Sequence, residues 1–153
     1  MIATAGFGLL LLAASCCDVM KLRIPNLIPI GLVALFALQL IIGRGVQDPL
    51  DHLLAMALTL LILLPVFALN MLGGGDVKLL AAVALWLGTN KLAALLILVG
   101  IVGGIFALFW LALRWLIRIG LRDRNLPRSL QAHAPLPFAL PIMAVAVLLF
   151  ERS

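Results

Sequence analysis

The sequence predicts an all-α, polytopic membrane protein, with about six transmembrane helices and one membrane-embedded domain over residues 1–153. Hydrophobic residues make up 65% of the chain, whereas they are about half of an ordinary soluble domain. The mean hydropathy is +1.28. Most apolar runs are long enough to cross the roughly 30 Å hydrocarbon layer as helices, and they lack the alternation of barrel strands. A soluble fold and a membrane barrel are therefore both excluded.

The apolar runs between Pro, Gly and polar residues predict helices over residues 2–19, 27–42, 53–72, 77–87, 92–117 and 136–150. Pro25 and Pro49 disfavour helix in the residue before each of them, and Gly88 begins a predicted turn. The first run lacks a basic n-region and a small-x-small cleavage site, so we interpret it as a retained helix and not as a signal peptide. The fourth run is short, since its residues rise only roughly 17 Å as a helix. Either it does not span alone, or the residue before it lies below the membrane surface.

The distribution of basic residues predicts the orientation. If all six runs span, the first, third and fifth connections share one side, which carries eight basic residues: Lys21, Arg23, Lys78, Arg114, Arg118, Arg122, Arg124 and Arg128. The other side carries three: Arg44, Lys91 and Arg152. The positive-inside rule places the first group in the cytoplasm and both termini outside. Because these residues are scattered through the connections, nucleic-acid binding is not expected. The three tryptophans are predicted to lie at the membrane interfaces: Trp86, Trp110 and Trp115.

Asp76 is the most informative residue, because it follows three glycines and precedes an apolar run. A carboxylate in such a place is costly, and irregular backbone at membrane depth survives only where protein or a wet cavity surrounds it. The sequence therefore predicts a glycine loop beside Asp76 and a water-accessible pocket near the cytoplasmic face. The alternative is that Asp76 only caps the helix that follows it.

Asp18 is the second carboxylate beside an apolar run, and it falls on the same predicted side as Asp76. Two carboxylates that converge cannot both ionise easily, so they share a proton. One can then deprotonate water while the other donates to a substrate carbonyl. The roles of base and acid stay unassigned, because the helix dipole and the nearby cations act on Asp18 in opposite directions. The alternative for Asp18 is a helix-end ion pair with Lys21.

Three motifs resemble those of the type IV prepilin peptidases, which are membrane aspartyl peptidases with a Gly-x-Gly-Asp signature. The first is Asp18 followed by Lys21, Leu22, Arg23, Ile24, Pro25 and Asn26. The second is Gly73, Gly74, Gly75, Asp76, Val77, Lys78 and Leu79. The third is Pro135, Leu136, Pro137, Phe138 and Ala139, which opens the last run.

This resemblance covers essentially the whole chain and implies that Asp18 and Asp76 are the catalytic pair. It also implies a set of supporting motif residues: Lys21, Pro25, Asn26, Gly73, Gly75 and Lys78. The activity expected is leader peptide removal from prepilins or pseudopilins at the cytoplasmic face of the bacterial inner membrane. In the family, the leader ends in Gly and precedes an apolar segment that contains a Glu.

The chain departs from the larger members of the family between its first two runs. Those members carry an insertion with CxxC motifs that is associated with N-methylation, but only residues 20–26 connect the runs here. Methyltransferase activity is therefore not implied, and no metal or other cofactor is expected. The compact form resembles the branch that serves Flp (tight adherence) pili. The expected partners are the prepilin, the lipid bilayer and, as a further candidate, the pilus assembly machinery.

Two other functions are compatible with the same carboxylates. A small proton-coupled membrane transporter could use Asp18 and Asp76 as relay groups. A noncatalytic scaffold for pilus assembly would tolerate the loss of either carboxylate.

Overall fold

The computed structural model describes residues 2–21, 24–43, 46, 48–69, 72–120 and 138–151. Within them lie six α-helices and a short 3-10 helix (Thr89–Lys91) but no strand: α1 (Ile2–Lys21), α2 (Leu27–Ile42), α3 (Pro49–Ala68), α4 (Gly74–Leu87), α5 (Leu92–Gly120) and α6 (Ala139–Glu151). The predicted all-α class with six helices is thus confirmed.

Two segments of the described helices are long and apolar enough to cross a membrane, judged by length and composition: Pro49–Ala68 and Thr89–Leu113. Shorter apolar helical segments are Ala5–Met20, Leu27–Ile42 and Ala139–Phe150. These features fit a membrane protein, while the predicted orientation of each helix stays a prediction.

The helix boundaries around the glycine run differ from the prediction. The third helix ends at Ala68 instead of residue 72, and α4 begins at Gly74 instead of residue 77. The chain enters α4 from Gly73 in an extended conformation, with φ −71° and ψ 142°. Glycine is tolerated in the first turn because the N–H groups there need no partner within the helix. Asp76 therefore belongs to the first turn of α4, and the predicted glycine loop is shorter than expected.

The start of α3 also comes earlier than predicted, at Pro49 instead of residue 53. Proline suits the first position of a helix because its ring presets φ and its missing N–H would have had no partner there. The sequence rule that proline disfavours helix in the preceding residue holds, since Asp48 is extended.

The central helix of the fold is α4. Apart from Lys78, every residue from Val77 to Leu87 is buried. A helix that is apolar on all faces requires neighbours on all sides, and α2, α3, α5 and α6 all pack against it. The first helix packs against α2 and α6, and α5 packs against α6. The short fourth run is thus the core of the bundle.

Trp86 lies in this core, so its predicted interfacial position is wrong. Its side chain is 7% exposed, and its ring centroid lies 4.8 Å from that of Phe7. The indole Nε1–H donates a hydrogen bond to the carbonyl of Leu32 at 3.1 Å. Burial is tolerated because the indole N–H has a protein partner. By contrast, Trp115 on α5 is 63% exposed, and its interfacial position stays a prediction.

The start of α3 holds the end of α4 that is remote from Asp76. Asp51 accepts hydrogen bonds from the backbone N–H of Thr89, at 2.9 Å, and from its hydroxyl. His52 Nδ1 lies 2.8 Å from the carbonyl oxygen of Leu85. Gly88 has a φ of 75°, and a Cβ at this position would lie 2.6 Å from Asp51 Oδ2. The turn after α4 therefore requires glycine.

Candidate active site

Asp18 lies in the last turn of α1, where its side chain is 5% exposed. One carboxylate oxygen accepts a hydrogen bond from the backbone N–H of Ala139, the first residue of α6, at 2.9 Å. The first N–H groups of a helix have no partner within it, and a negative charge is stabilised at that end. Asp18 therefore caps α6 from another helix, and this contact satisfies its buried carboxylate.

Ser15 lies one turn before Asp18 and contacts the same end of α6. Its hydroxyl oxygen is 3.3 Å from the carbonyl oxygen of Ala139 and 3.4 Å from the sulfur of Met143. It also lies 3.0 Å from the carbonyl oxygen of Leu11. No sequence motif marks Ser15 as part of the site. The available signal was its spacing of three residues from Asp18, which places both side chains on one helix face.

Asp76 is the third residue of α4 and is partly exposed. Its backbone N–H donates to the carbonyl of Gly73 at 3.0 Å. A Cβ on Gly73 would lie 2.8 Å from Asp76 Oδ2. An alanine at 73 would therefore displace the carboxylate of Asp76.

The two carboxylates come from different helices and share one region of the fold. Asp18 is close enough to Asp76 to act on it electrostatically, so two negative charges here would repel each other. Asp18 is buried against α6, and Asp76 is partly open to its surroundings. The described residues contain no group of three or more His, Cys, Asp or Glu side chains that could hold a metal ion.

The segment that joins α1 to α2 passes beside the first turn of α4. Lys78 Nζ donates a hydrogen bond to Asn26 Oδ1 at 3.1 Å. A Cβ on Gly75 would lie 3.2 Å from the Cβ of Ile24. The two predicted motifs therefore contact each other directly, and Gly75 permits the close approach of this segment to α4.

Two further motif residues lie at the edges of this region. Pro25 is exposed, and its carbonyl accepts a hydrogen bond from the N–H of Ile28 at 3.1 Å in the first turn of α2. Lys21 is the last residue of α1, but its side chain lies outside what the structure describes, so its ion pair with Asp18 stays a prediction. Several other residues of the motifs and of the basic segment also lie outside the described ranges: Leu22, Arg23, Arg122, Arg124, Arg128, Pro135, Leu136 and Pro137.

Comparison with known proteins identifies the class to which this fold and site belong. A model of the type IV leader peptidase family matches residues 5–108, which is more than half of the chain and includes Asp18, Asp76 and Lys78. The molecule is thus a membrane-associated peptidase. The chain belongs to the type IV leader peptidase family, as its motifs predicted. A search of curated proteins found no match, and neither did a search of solved structures.

Proposed function

We propose that this leader peptidase is an aspartyl enzyme in which Asp18 and Asp76 are the catalytic pair. The family supplies the peptidase activity and the prepilin substrate. What supports the assignment is the contact between the two motifs, where Lys78 donates to Asn26, together with the electrostatic effect of Asp18 on Asp76. A purely structural use would need only one carboxylate at each helix end, without bringing two like charges together.

In this mechanism the pair holds one proton between its two carboxyl groups. The ionised carboxylate removes a proton from water, whose oxygen attacks the carbonyl carbon of the scissile peptide bond. The protonated partner donates its proton to the carbonyl oxygen. When the tetrahedral intermediate collapses, the C–N bond breaks and the leaving amine takes a proton from the pair. The products are the leader with a new carboxyl end and the mature chain with a new amino end.

The proposal includes the place of the reaction. The chain would cross the bacterial inner membrane several times, and the pair would act near the cytoplasmic face. The excess of basic residues on the connections that would share this side supports the orientation. The short connection between α1 and α2 resembles that of the compact branch, so we propose prepilins of the Flp type as substrates and no N-methylation.

The test is cleavage of candidate prepilins by the full-length protein in membranes, with the N-terminus of the product sequenced. Asp18→Asn and Asp76→Asn should each reduce the rate of leader removal by at least about 100-fold, in the range for loss of an acid or base group. Asp48→Asn is the matched control, because Asp48 is exposed and makes no side-chain cap hydrogen bond. Undiminished cleavage by either variant at position 18 or 76 would overturn the assignment. Proton-coupled flux in liposomes without cleavage would instead favour the transporter.

A further inference from the structure

A groove of about 530 Å³ lies on the surface of α4, between α2 and α3. Its walls are apolar over most of their length and include these residues: Val33, Ala34 and Ala37 of α2, Leu60 of α3, and Ala81 and Ala82 of α4. Asn26 and Lys78 line it too. The groove forms because α2 and α3 both pack on α4.

The alanines of the groove suit a helix as the occupant. Ala34 and Ala37 are one turn apart on α2, so they share a face, and Ala81 and Ala82 lie on the neighbouring α4. In apolar surroundings, helices associate chiefly through close packing, which small residues permit by letting two backbones approach. A groove lined with small residues on two of its helices therefore favours a helical partner.

Lys78 gives the groove a charged site. Lys78 is exposed, and its ammonium group donates a hydrogen bond to the neutral side chain of Asn26 at 3.1 Å. A cation beside apolar walls attracts an anionic group more strongly than a cation surrounded by water does. Charge complementarity therefore favours an occupant that carries one acidic side chain.

Lys78 places one end of the groove at the same end of α4 as Asp76. Lys78 follows Asp76 by two residues on α4, and Asn26 belongs to the segment whose Ile24 faces Gly75. Residues two apart on a helix project to different faces, so a chain that leaves the groove past Lys78 must pass around the first turn of α4 to reach the two carboxylates.

We propose that this groove binds the apolar membrane helix of the prepilin, with an acidic side chain of that helix facing Lys78. The inference rests on the proposed peptidase function and assigns a substrate subsite to it. The helix lies in the groove, and the chain that precedes it passes around the first turn of α4 to bring its peptide bond to Asp18 and Asp76.

The first test fills the groove. Ala34→Phe and Ala37→Phe replace exposed alanines that line it, and Ala144→Phe makes the same change on an exposed position of α6 outside it. The two groove variants should lower the rate of prepilin cleavage in membranes by about tenfold or more, which corresponds to roughly 1.4 kcal/mol of binding free energy. They should cleave a short soluble peptide, which contains the cut site but lacks the apolar helix, as fast as the wild type. Equal cleavage of the full prepilin by the wild type and both groove variants would overturn the inference.

The second test detects the occupant directly. A photo-crosslinking residue at Val33, inside the groove, should form an adduct with the apolar segment of the prepilin, and one at Leu61, on the exposed outer side of α3, should not. Adducts at Val33 to lipid alone, with prepilin present and cleaved, would show that the groove holds acyl chains and would overturn the inference.

The third test reverses the proposed charge pair. Lys78→Glu should slow cleavage of the natural prepilin, and replacing the acidic residue of its apolar segment by Lys should restore much of the rate. Failure of this rescue, with Lys78→Glu equally slow on both prepilins, would overturn the role of Lys78. If the wild-type protein cleaves no prepilin, the proposed function itself fails. That outcome is distinct from groove variants that cleave normally beside an active wild type.

Discussion

The carboxylate of Asp18 accepts a hydrogen bond from the backbone N–H of Ala139, which lies 121 residues later in the chain. This contact joins α1 to the start of α6, a helix beyond the residues matched by the family model. The carboxylate proposed for catalysis is therefore positioned by a backbone group from the last helix. Substitutions at the contact between α1 and α6 should therefore change the rate of cleavage by moving Asp18.

Ser15→Ala should slow leader removal by lowering kcat, with KM little changed. The hydroxyl of Ser15 has one proton for the carbonyl oxygens of Leu11, at 3.0 Å, and Ala139, at 3.3 Å, so its loss removes a polar contact at the helix end that holds Asp18. One such hydrogen bond contributes about 1 kcal/mol, which predicts a rate several-fold lower. Ser15→Thr keeps the hydroxyl and is the matched control, expected to retain most of the rate. Equal rates for the alanine, threonine and wild-type proteins would contradict this role.

Gly73→Ala should reduce activity far more than it reduces stability. The added Cβ would lie 2.8 Å from Asp76 Oδ2, so the carboxylate must move. A misplacement of about 1 Å can cost about 100-fold in rate. Gly100→Ala is the control, because a Cβ there meets nothing within 4 Å. Steady-state cleavage and thermal unfolding of the two variants provide the comparison, and a Gly73→Ala protein with the wild-type rate would refute the requirement.

Asp51→Ala should destabilise the fold without changing the chemistry. Asp51 accepts two hydrogen bonds from Thr89 at the end of α4 remote from Asp76. Loss of the Asp51 carboxylate removes both of these hydrogen bonds from the turn after α4, which weakens the contact between α3 and α4. Thermal unfolding in detergent should shift to lower temperature, while cleavage well below that transition stays near the wild-type rate. Asp48→Ala, on an exposed side chain before α3, should leave the transition nearly unchanged. A normal unfolding temperature for Asp51→Ala would contradict the prediction.

The proposed orientation predicts which loops an impermeant thiol reagent reaches. In a chain whose Cys16 and Cys17 are replaced by alanine, a cysteine at Asn90, an exposed residue after α4, should be labelled from outside the cell. A cysteine at Arg124 should be labelled only after the cytoplasmic side is made accessible. Labelling with the opposite pattern would invert the topology.

The sequence predicted the helices well where the signal was local. The apolar runs predicted six helices, and α2 has the predicted bounds of residues 27–42. It failed around the three glycines, because first-turn N–H groups need no acceptor within the helix and so tolerate Gly74 and Gly75. It also failed for Trp86, whose burial depends on a carbonyl supplied by Leu32 of another helix.

The sequence predicted which residues form the candidate site but not which groups those residues contact. Asp18 and Asp76 were identifiable because an acidic residue beside a proline or glycine break is rare in so apolar a chain. The hydrogen bond between Asp18 and Ala139 and the contact of Ser15 with α6 could not be predicted. A residue type alone does not show which distant helix end its side chain will meet.

By itself, then, the sequence determined the class of the protein, its helices, its family and its two candidate carboxylates. These properties follow from composition, run length and short motifs, which are all local along the chain. Only the tertiary structure decided that the short α4 is the buried centre, that Asp18 caps α6 and that α2 and α3 border a groove beside Lys78. Such features arise from packing between helices far apart in sequence, where shape and backbone partners determine which residues meet.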